Sequence, residues 1–302
     1  FSEKVSKVSR ALVALGMQAQ ENIGVFSQNK PECLYTDFGA FGVRAVTVPL
    51  YATSSEAQVH YILQDAAIRF LFVGEQYQYD VASRVQNLCH TLKRIIVFDS
   101  SVKLAPGDTN SLCYEDFLAL GDNMELQQQV DKLTAESSPQ DLANILYTSG
   151  TTGESKGVML HHSCYEAAFK AHHGRLTTLG EQDVVMNFLP FTHIFERAWS
   201  YYCLDRGCVL CINLRPQDIQ KTIKEVRPTA MCSVPRFWEK VYAGVLEKIN
   251  ETTGLKKMLM LDALKVGKQH NVDYLLHGKT PPAFLHMKYK FYDRTIFSLL
   301  KK

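Results

Sequence analysis

Short apolar runs alternate with helix-length amphipathic segments through the first 98 residues, and this rhythm constrains the fold more than any other property of the chain. Phe1, Val5, Val8, Leu12 and Leu15 recur at helical spacing and stop at Gly16. Ile23–Phe26, Ala45–Val48, Phe70–Val73 and Arg94–Phe98 read as strands. Helices are expected from Pro31 to about Phe41, over Ser55–Gln64 through a Thr53/Ser54 entry, and near Val81–Leu92. Strands of the kind buried on both faces, joined by helices, predict an α/β fold: a parallel sheet covered by helices. Residues 100–140 break the rhythm, with Gly107-Asp108, Gly121-Asp122 and Ser137-Ser138-Pro139 punctuating short helices. Alternation then resumes, with strands near Val184–Phe188, Cys208–Ile212 and Thr229–Cys232 and helices after His161, near Phe195–Leu204 and over Pro216–Val226. Beyond Pro235 the pattern is almost entirely helical. The expected organisation is an α/β portion, 1–236, and a helical segment, 237–302, of the same domain.

Bulk properties exclude several classes of function. The chain has 302 residues, 46% hydrophobic and 21% charged, with a net charge of +2, which gives no sign of nucleic-acid binding. From Phe237 onward, twelve Lys and Arg face six Asp and Glu, so the helical end is basic. That basicity fits a solvated face or a peripheral contact with an anionic membrane. No apolar run reaches the roughly 18 residues of a spanning helix. Eight scattered cysteines fit a reducing cytoplasm. The pair Cys208-Val-Leu-Cys211 lies in an apolar run and reads as strand packing. The doublets His161-His162 and His172-His173 lack carboxylates or cysteines at ligand spacing and read as solvated helix faces. Oligomeric state is not legible. The chain opens on Phe1-Ser2-Glu3-Lys4 and is expected to be a piece of a longer one.

The segment Tyr147-Thr-Ser-Gly-Thr-Thr-Gly-Glu-Ser-Lys-Gly157 carries the clearest chemistry. Ser149, Thr151 and Thr152 interleave with Gly150, Gly153 and Gly157 around Lys156. Glycines let backbone N–H groups approach oxygen, hydroxyls donate, and the lysine brings a compact positive charge, a composition suited to polyphosphate. The preceding apolar run Ala143–Tyr147 is a strand that would feed this loop. A Walker A loop is excluded, because Lys156 lies between Ser155 and Gly157 and Gly-x-x-x-x-Gly-Lys-[Ser/Thr] cannot be aligned.

Position by position, the loop resembles the phosphate-binding signature of the AMP-forming adenylating enzymes, with Ser155 where proline is more usual. Leu189-Pro-Phe-Thr-His-Ile-Phe-Glu-Arg197 is similar to the aromatic/histidine motif of the acyl-CoA synthetases in that family, and its Phe-Glu-Arg continuation to the long-chain fatty acid subgroup. Arg227–Tyr242, a strand, a turn at Val234-Pro235 and a helix, resembles a corner lining the acyl tunnel in that subgroup. Gln28–Glu32 and Val48–Thr53 also resemble its amino-terminal region, and the Pro-Leu-Tyr turn at 49–51 is read as structural.

The resemblance implies ATP-dependent activation of a fatty acid to an acyl-adenylate, followed by thioesterification to CoA, with Mg2+ as cofactor. Thr148, Ser149, Gly150, Thr151, Thr152, Gly153, Lys156 and Gly157 would bind the nucleotide, with Thr148 facing the magnesium. Lys156 and His193 would be catalytic, and His193, Phe237 and Trp238 would contact the acyl substrate. The family's adenine and ribose motifs and its mobile carboxy-terminal domain have no counterpart in the sequence, which resembles the first half of such an enzyme and is expected to be inactive alone. An aryl or amino-acid adenylating ligase, or a non-catalytic nucleotide-binding module, remains open at this stage.

Overall fold

The computed structural model describes residues 1–148 and 155–298. They form two compact units, Phe1–Cys232 and Ser233–Lys302. In the first, helix α1 (Ser2–Ala14) precedes three βα repeats and a fourth strand: β1 (Asn22–Phe26), α2 (Pro31–Gly42), β2 (Val46–Leu50), α3 (Glu56–Asp65), β3 (Phe70–Val73), α4 (Gln76–Gln86) and β4 (Arg94–Val97). The irregular stretch that follows holds β5 (Ser111–Cys113), α5 (Tyr114–Leu120) and α6 (Gln127–Ala135), leading to β6 (Leu142–Thr148) and β7 (Lys156–His161). These strands make one seven-stranded sheet in the order β5-β4-β3-β1-β2-β6-β7. All neighbours are parallel except β6 and β7.

Strand alternation distributes the core to two faces. Phe70, Phe72 and Ile96 point to one side, where they meet Val8 and Leu12 of α1, Leu34 of α2 and Phe117 of α5. Leu71, Val73 and Ile95 point to the other, against Val59 and Leu63 of α3 and Val81 and Val85 of α4. Near-continuous apolar strands are what a sheet covered on both faces requires. Helix α1 is tied down further by buried Arg10, whose Nε donates to the Gly121 carbonyl at 2.6 Å.

Several boundaries differ from the sequence expectation. Ser55 is the cap of α3 rather than its first residue, in a reciprocal capping box with Gln58. Helix α4 starts at Gln76, not near Val81, because Glu75 and Gln78 form another such box. Strand β2 continues through Pro49 and Leu50, so the turn expected there begins only at Tyr51. Strand β7 was not foreseen: residues 156–161 pair antiparallel with β6 before α7 (His162–His173) begins.

The remainder of this unit packs a small parallel pair, β8 (Val184–Asn187) and β9 (Val209–Ile212), with α8 (Ile194–Asp205) and α9 (Ile219–Val226). The strand expected at Thr229–Cys232 is reduced to a single bridge, Ala230 to Val185. The unit Ser233–Lys302 is helical: α10 (Pro235–Glu251), α11 (Gly254–Lys268) and α12 (Ala283–Tyr292), with π-helical turns at Gln269–Tyr274 and Asp293–Phe297. Its small core joins Ala263 and Val266 to Tyr292. Among the described residues, no helix is long and apolar enough to cross a membrane.

Candidate active site at the carboxyl edge of the sheet

Strand β1 lies between β2 and β3, so the chain leaves it in one direction and returns on its other side. Such switch points open a crevice outside the carboxyl ends of the strands, where open α/β sheets take their ligands. A cavity of about 230 Å³ lies at this edge, lined by residues that include Asn29, Cys33, Tyr51, Phe191, Thr192 and Asn213. Burial pushes the Cys33 thiol up to about 12, which keeps it uncharged. Thr192 Oγ1 is buried and has no hydrogen-bond partner among the described residues, an arrangement that suits a polar ligand.

Of the sequence-predicted phosphate loop, Ser149, Gly150, Thr151, Thr152 and Gly153 lie outside the described residues. The structure places both ends of the loop. The described residues on its two sides are the antiparallel neighbours β6 and β7. Thr148 pairs directly with Lys156. Directly opposed residues of an antiparallel pair project from the same face, so hydroxyl and ammonium stand together at the mouth of the loop. Both are exposed. Gly157 faces Tyr147, and a Cβ there would lie 2.8 Å from the Ile145 Cγ2 methyl, which would have to shift to admit a larger residue. The Tyr61 hydroxyl donates to the Ser155 carbonyl at 3.1 Å and fixes the far end of the loop.

His193 is the N-cap of α8 and is exposed. Its ring meets that of Tyr51 edge to face, centroids 5.4 Å apart. The Tyr51 hydroxyl is 3.2 Å from Nε2 and 3.4 Å from Nδ1. Strand order relates this pair to the loop. Thr47 of β2 is level with Asn144 of β6. Tyr51 follows the end of β2 directly, and Thr148 ends the neighbouring strand β6.

The segment 188–193 that carries His193 is held by groups the sequence reading left without roles. Asn29 clamps it from the β1–α2 turn: Nδ2 donates to the Leu189 carbonyl at 2.7 Å, and Oδ1 accepts from the Phe191 N–H at 3.0 Å. Beneath it, fully buried Arg197 donates to the Phe191 carbonyl at 2.7 Å and to Asp37 of α2 at 2.5 Å. The Tyr201 hydroxyl donates to the same carboxylate at 2.8 Å. Burial opposes the charge on Arg197, but the adjacent Asp37 carboxylate together with Tyr201 and Tyr165 outweighs it and raises the guanidinium above its ordinary value. Glu196 accepts from Asn187 Nδ2 at 2.6 Å and from the Leu189 N–H at 3.2 Å. Burial nevertheless pushes its carboxyl up. The signal available in the sequence was an acidic and a basic residue, Glu196-Arg197, set among aromatics, together with Asp37 inside an apolar helix.

Phe237 and Trp238 lie in the other compact unit, in the first turn of α10, where their rings pack edge to face at 5.1 Å. Trp238 is 56% exposed and donates to Ser233 Oγ at 2.7 Å. For magnesium, the described residues contain no group of three or more His, Cys, Asp or Glu side chains that could hold an ion. Thr148 supplies one hydroxyl, less than a resident Mg2+ needs, so no catalytic step is assigned to the metal.

Fold and edge thus place the chain among open-sheet α/β proteins whose ligands meet the carboxyl ends of the strands. A family profile described as AMP-binding enzyme matches residues 1–276, and the chain belongs to that family. It is 28% identical over 303 residues to the long-chain-fatty-acid–CoA ligase ACSBG2 of Rattus norvegicus, covering 98% of this chain and 44% of that protein. It is 29% identical to fatty acyl-CoA synthetase A of Dictyostelium discoideum, covering 99% of this chain and 43% of the relative. The chain therefore spans less than half the length of these curated relatives. Among solved structures, the long-chain-fatty-acid-CoA ligase FadD1 of Archaeoglobus fulgidus superposes with a TM-score of 0.62 at 22% identity, covering 81% of this chain and 46% of that one. The anthranilate CoA ligase AuaEII in complex with anthranoyl-AMP superposes with 0.64 at 22% identity, covering 76% and 43%.

Proposed function

We propose that this chain supplies the phosphate-gripping wall and part of the acyl wall of an AMP-forming ligase that activates a long-chain fatty acid. The observation that carries this reading is the pairing of Thr148 with Lys156 at the mouth of a glycine- and hydroxyl-rich loop. The Tyr51–His193 pair lies just past the end of β2, the strand next to β6.

In the first step the fatty acid carboxylate attacks the α-phosphorus of ATP and pyrophosphate leaves. Lys156 and the loop donors neutralise the β- and γ-phosphates and orient them for departure, a contribution of positioning and charge rather than covalent chemistry. His193 hydrogen-bonds the reacting carboxylate or the adenylate phosphate. In the second step the thiol of CoA displaces AMP. Phe237 and Trp238 supply apolar contact for the acyl chain, a role suited to the exposed face of Trp238. Residues 1–236 and 237–302 belong to one AMP-binding domain in this reading, which the family match across residues 1–276 supports. The ligase relatives from rat and Dictyostelium support a fatty acyl substrate.

Single-turnover acyl-adenylate formation by the natural protein tests the assignment. Lys156→Ala and His193→Ala are each expected to slow it by about 10²-fold or more, as loss of a donor to developing charge does elsewhere. Wild-type rates in both would remove the proposed roles. A panel of long-chain, aryl and amino-acid substrates decides the acid.

A further inference from the structure

The hydroxyl of Tyr51 is the only side-chain hydrogen-bond partner given to the His193 ring among the described residues. Its contact is also edge to face, so ring packing and hydrogen bond act on the same imidazole. The two side chains come from different parts of the chain. Tyr51 follows the carboxyl end of β2 directly, and His193 caps α8. The backbone on the His193 side is fixed independently, by the Asn29 clamp and by the Arg197 bond to the Phe191 carbonyl. What that backbone leaves undetermined is the rotation of the exposed ring. Tyr51 is placed to hold that rotation, through its edge-to-face contact and its hydroxyl at the ring nitrogens.

We propose that Tyr51 is the positioning residue of His193. Its hydroxyl, 3.2 Å from Nε2 and 3.4 Å from Nδ1, fixes the rotation of the imidazole and with it the direction in which the ring meets the reacting carboxylate. Tyr51 acts through His193 in this scheme. The proposal rests on the adenylating role of His193 given above. It adds that the imidazole works in one defined orientation, held by a hydroxyl just past the end of β2, the strand next to β6.

Tyr51→Phe keeps the ring contact and deletes only the hydroxyl, and a double-mutant cycle with His193→Ala in the natural protein tests the idea. Tyr51→Phe is expected to slow single-turnover acyl-adenylate formation about tenfold, the factor associated with one hydrogen bond of ordinary net strength. The KM for ATP should stay within about twofold, so that the loss falls on the chemical step. In the His193→Ala background the same substitution should have no further effect. An unchanged rate for Tyr51→Phe beside an impaired His193→Ala would overturn the positioning role and leave the adenylation reading intact. Equal losses in both backgrounds would overturn it too, since Tyr51 would then act without His193. A wild-type rate in His193→Ala would remove the role of His193, and the proposal with it. Equal thermal midpoints for wild type and Tyr51→Phe would show that the rate change is not a folding defect.

Discussion

Two walls of the candidate site are built from opposite materials. The sheet wall rests on apolar strands: Leu71, Phe72, Ile95 and Ile96 are completely buried and packed by helices on both faces. The wall carrying His193 rests on buried charge and polarity: Asp37, Asn187, Glu196, Arg197 and Ser200 are all 1% exposed or less. An apolar core is non-directional, tolerates volume-conserving exchange and sets strand positions through packing. A hydrogen-bonded ionic network is directional. Its geometry fixes the Phe191 carbonyl, and through it the segment leading to His193, at one position. The difference teaches that the chain uses packing to place strands and polar bonds to place an irregular segment that no ladder supports.

The largest expected effect breaks the polar wall at its centre. Asp37→Ala leaves Arg197 buried without its carboxylate, which costs about 3–5 kcal/mol in urea unfolding. Replacing both partners by apolar groups, Asp37→Leu with Arg197→Met, should recover most of that loss, since the buried pair itself contributes little net stability. It should not recover adenylation, because the donor to the Phe191 carbonyl is gone. If the double variant were as unstable as Asp37→Ala, charge imbalance would not be what the single variant measures.

Leu71→Ala probes the apolar wall. It deletes buried methyls at the centre of the second face and should cost about 2–5 kcal/mol through lost transfer energy and a residual cavity. Here the whole sheet loosens, so stability and adenylation should fall together in proportion to the unfolded fraction. A native-like melting curve with lost activity would contradict the division between the walls.

The apolar wall was the more legible in sequence. Phe70–Val73 is the observed strand to the residue, and α1 and α2 end within one or two residues of where Gly16 and Phe41 suggested. Short strands buried on both faces announce themselves by composition alone. Strand β7 did not, because Lys156-Gly-Val-Met-Leu-His is half exposed and gains its structure from pairing with β6, a long-range event with no local pattern. The helix expected from Val81 begins five residues earlier, where a glutamate and a glutamine form a capping box in place of the usual serine. At the site, motif chemistry pointed to Lys156, Thr148 and His193, whose roles are proposals. Tyr51 was read as part of a structural turn, and its contact with His193 joins residues 142 positions apart. Asp37 and Arg197 are separated by 160 positions, and no sequence period encodes their meeting.

The smallest effect distinguishes the walls by pH. Burial raises the Glu196 carboxyl, so between its ordinary value and its raised folded value the folded state holds the proton more tightly than the unfolded state. Its contribution to stability is therefore fully present below the ordinary carboxylate range and is lost as pH rises through the folded value. Asp141 behaves in the opposite sense. Its bond to Arg44 lowers the carboxyl, so its contribution is present above the ordinary value and is lost as pH falls. Glu196→Gln removes the first titration and leaves the second. It also sets an amide nitrogen among donors, because the two carboxylate oxygens accept from Asn187 and from the Leu189 N–H, so a constant offset of about 1 kcal/mol is expected. Superimposed on that offset, the variant should lose less stability than the wild type as pH rises from acid toward neutral, while its acid-side decline persists. Urea unfolding at a series of pH values measures the difference directly. Parallel curves would mean that Glu196 keeps the same proton affinity folded and unfolded, and that the polar wall holds its carboxylate charged without penalty.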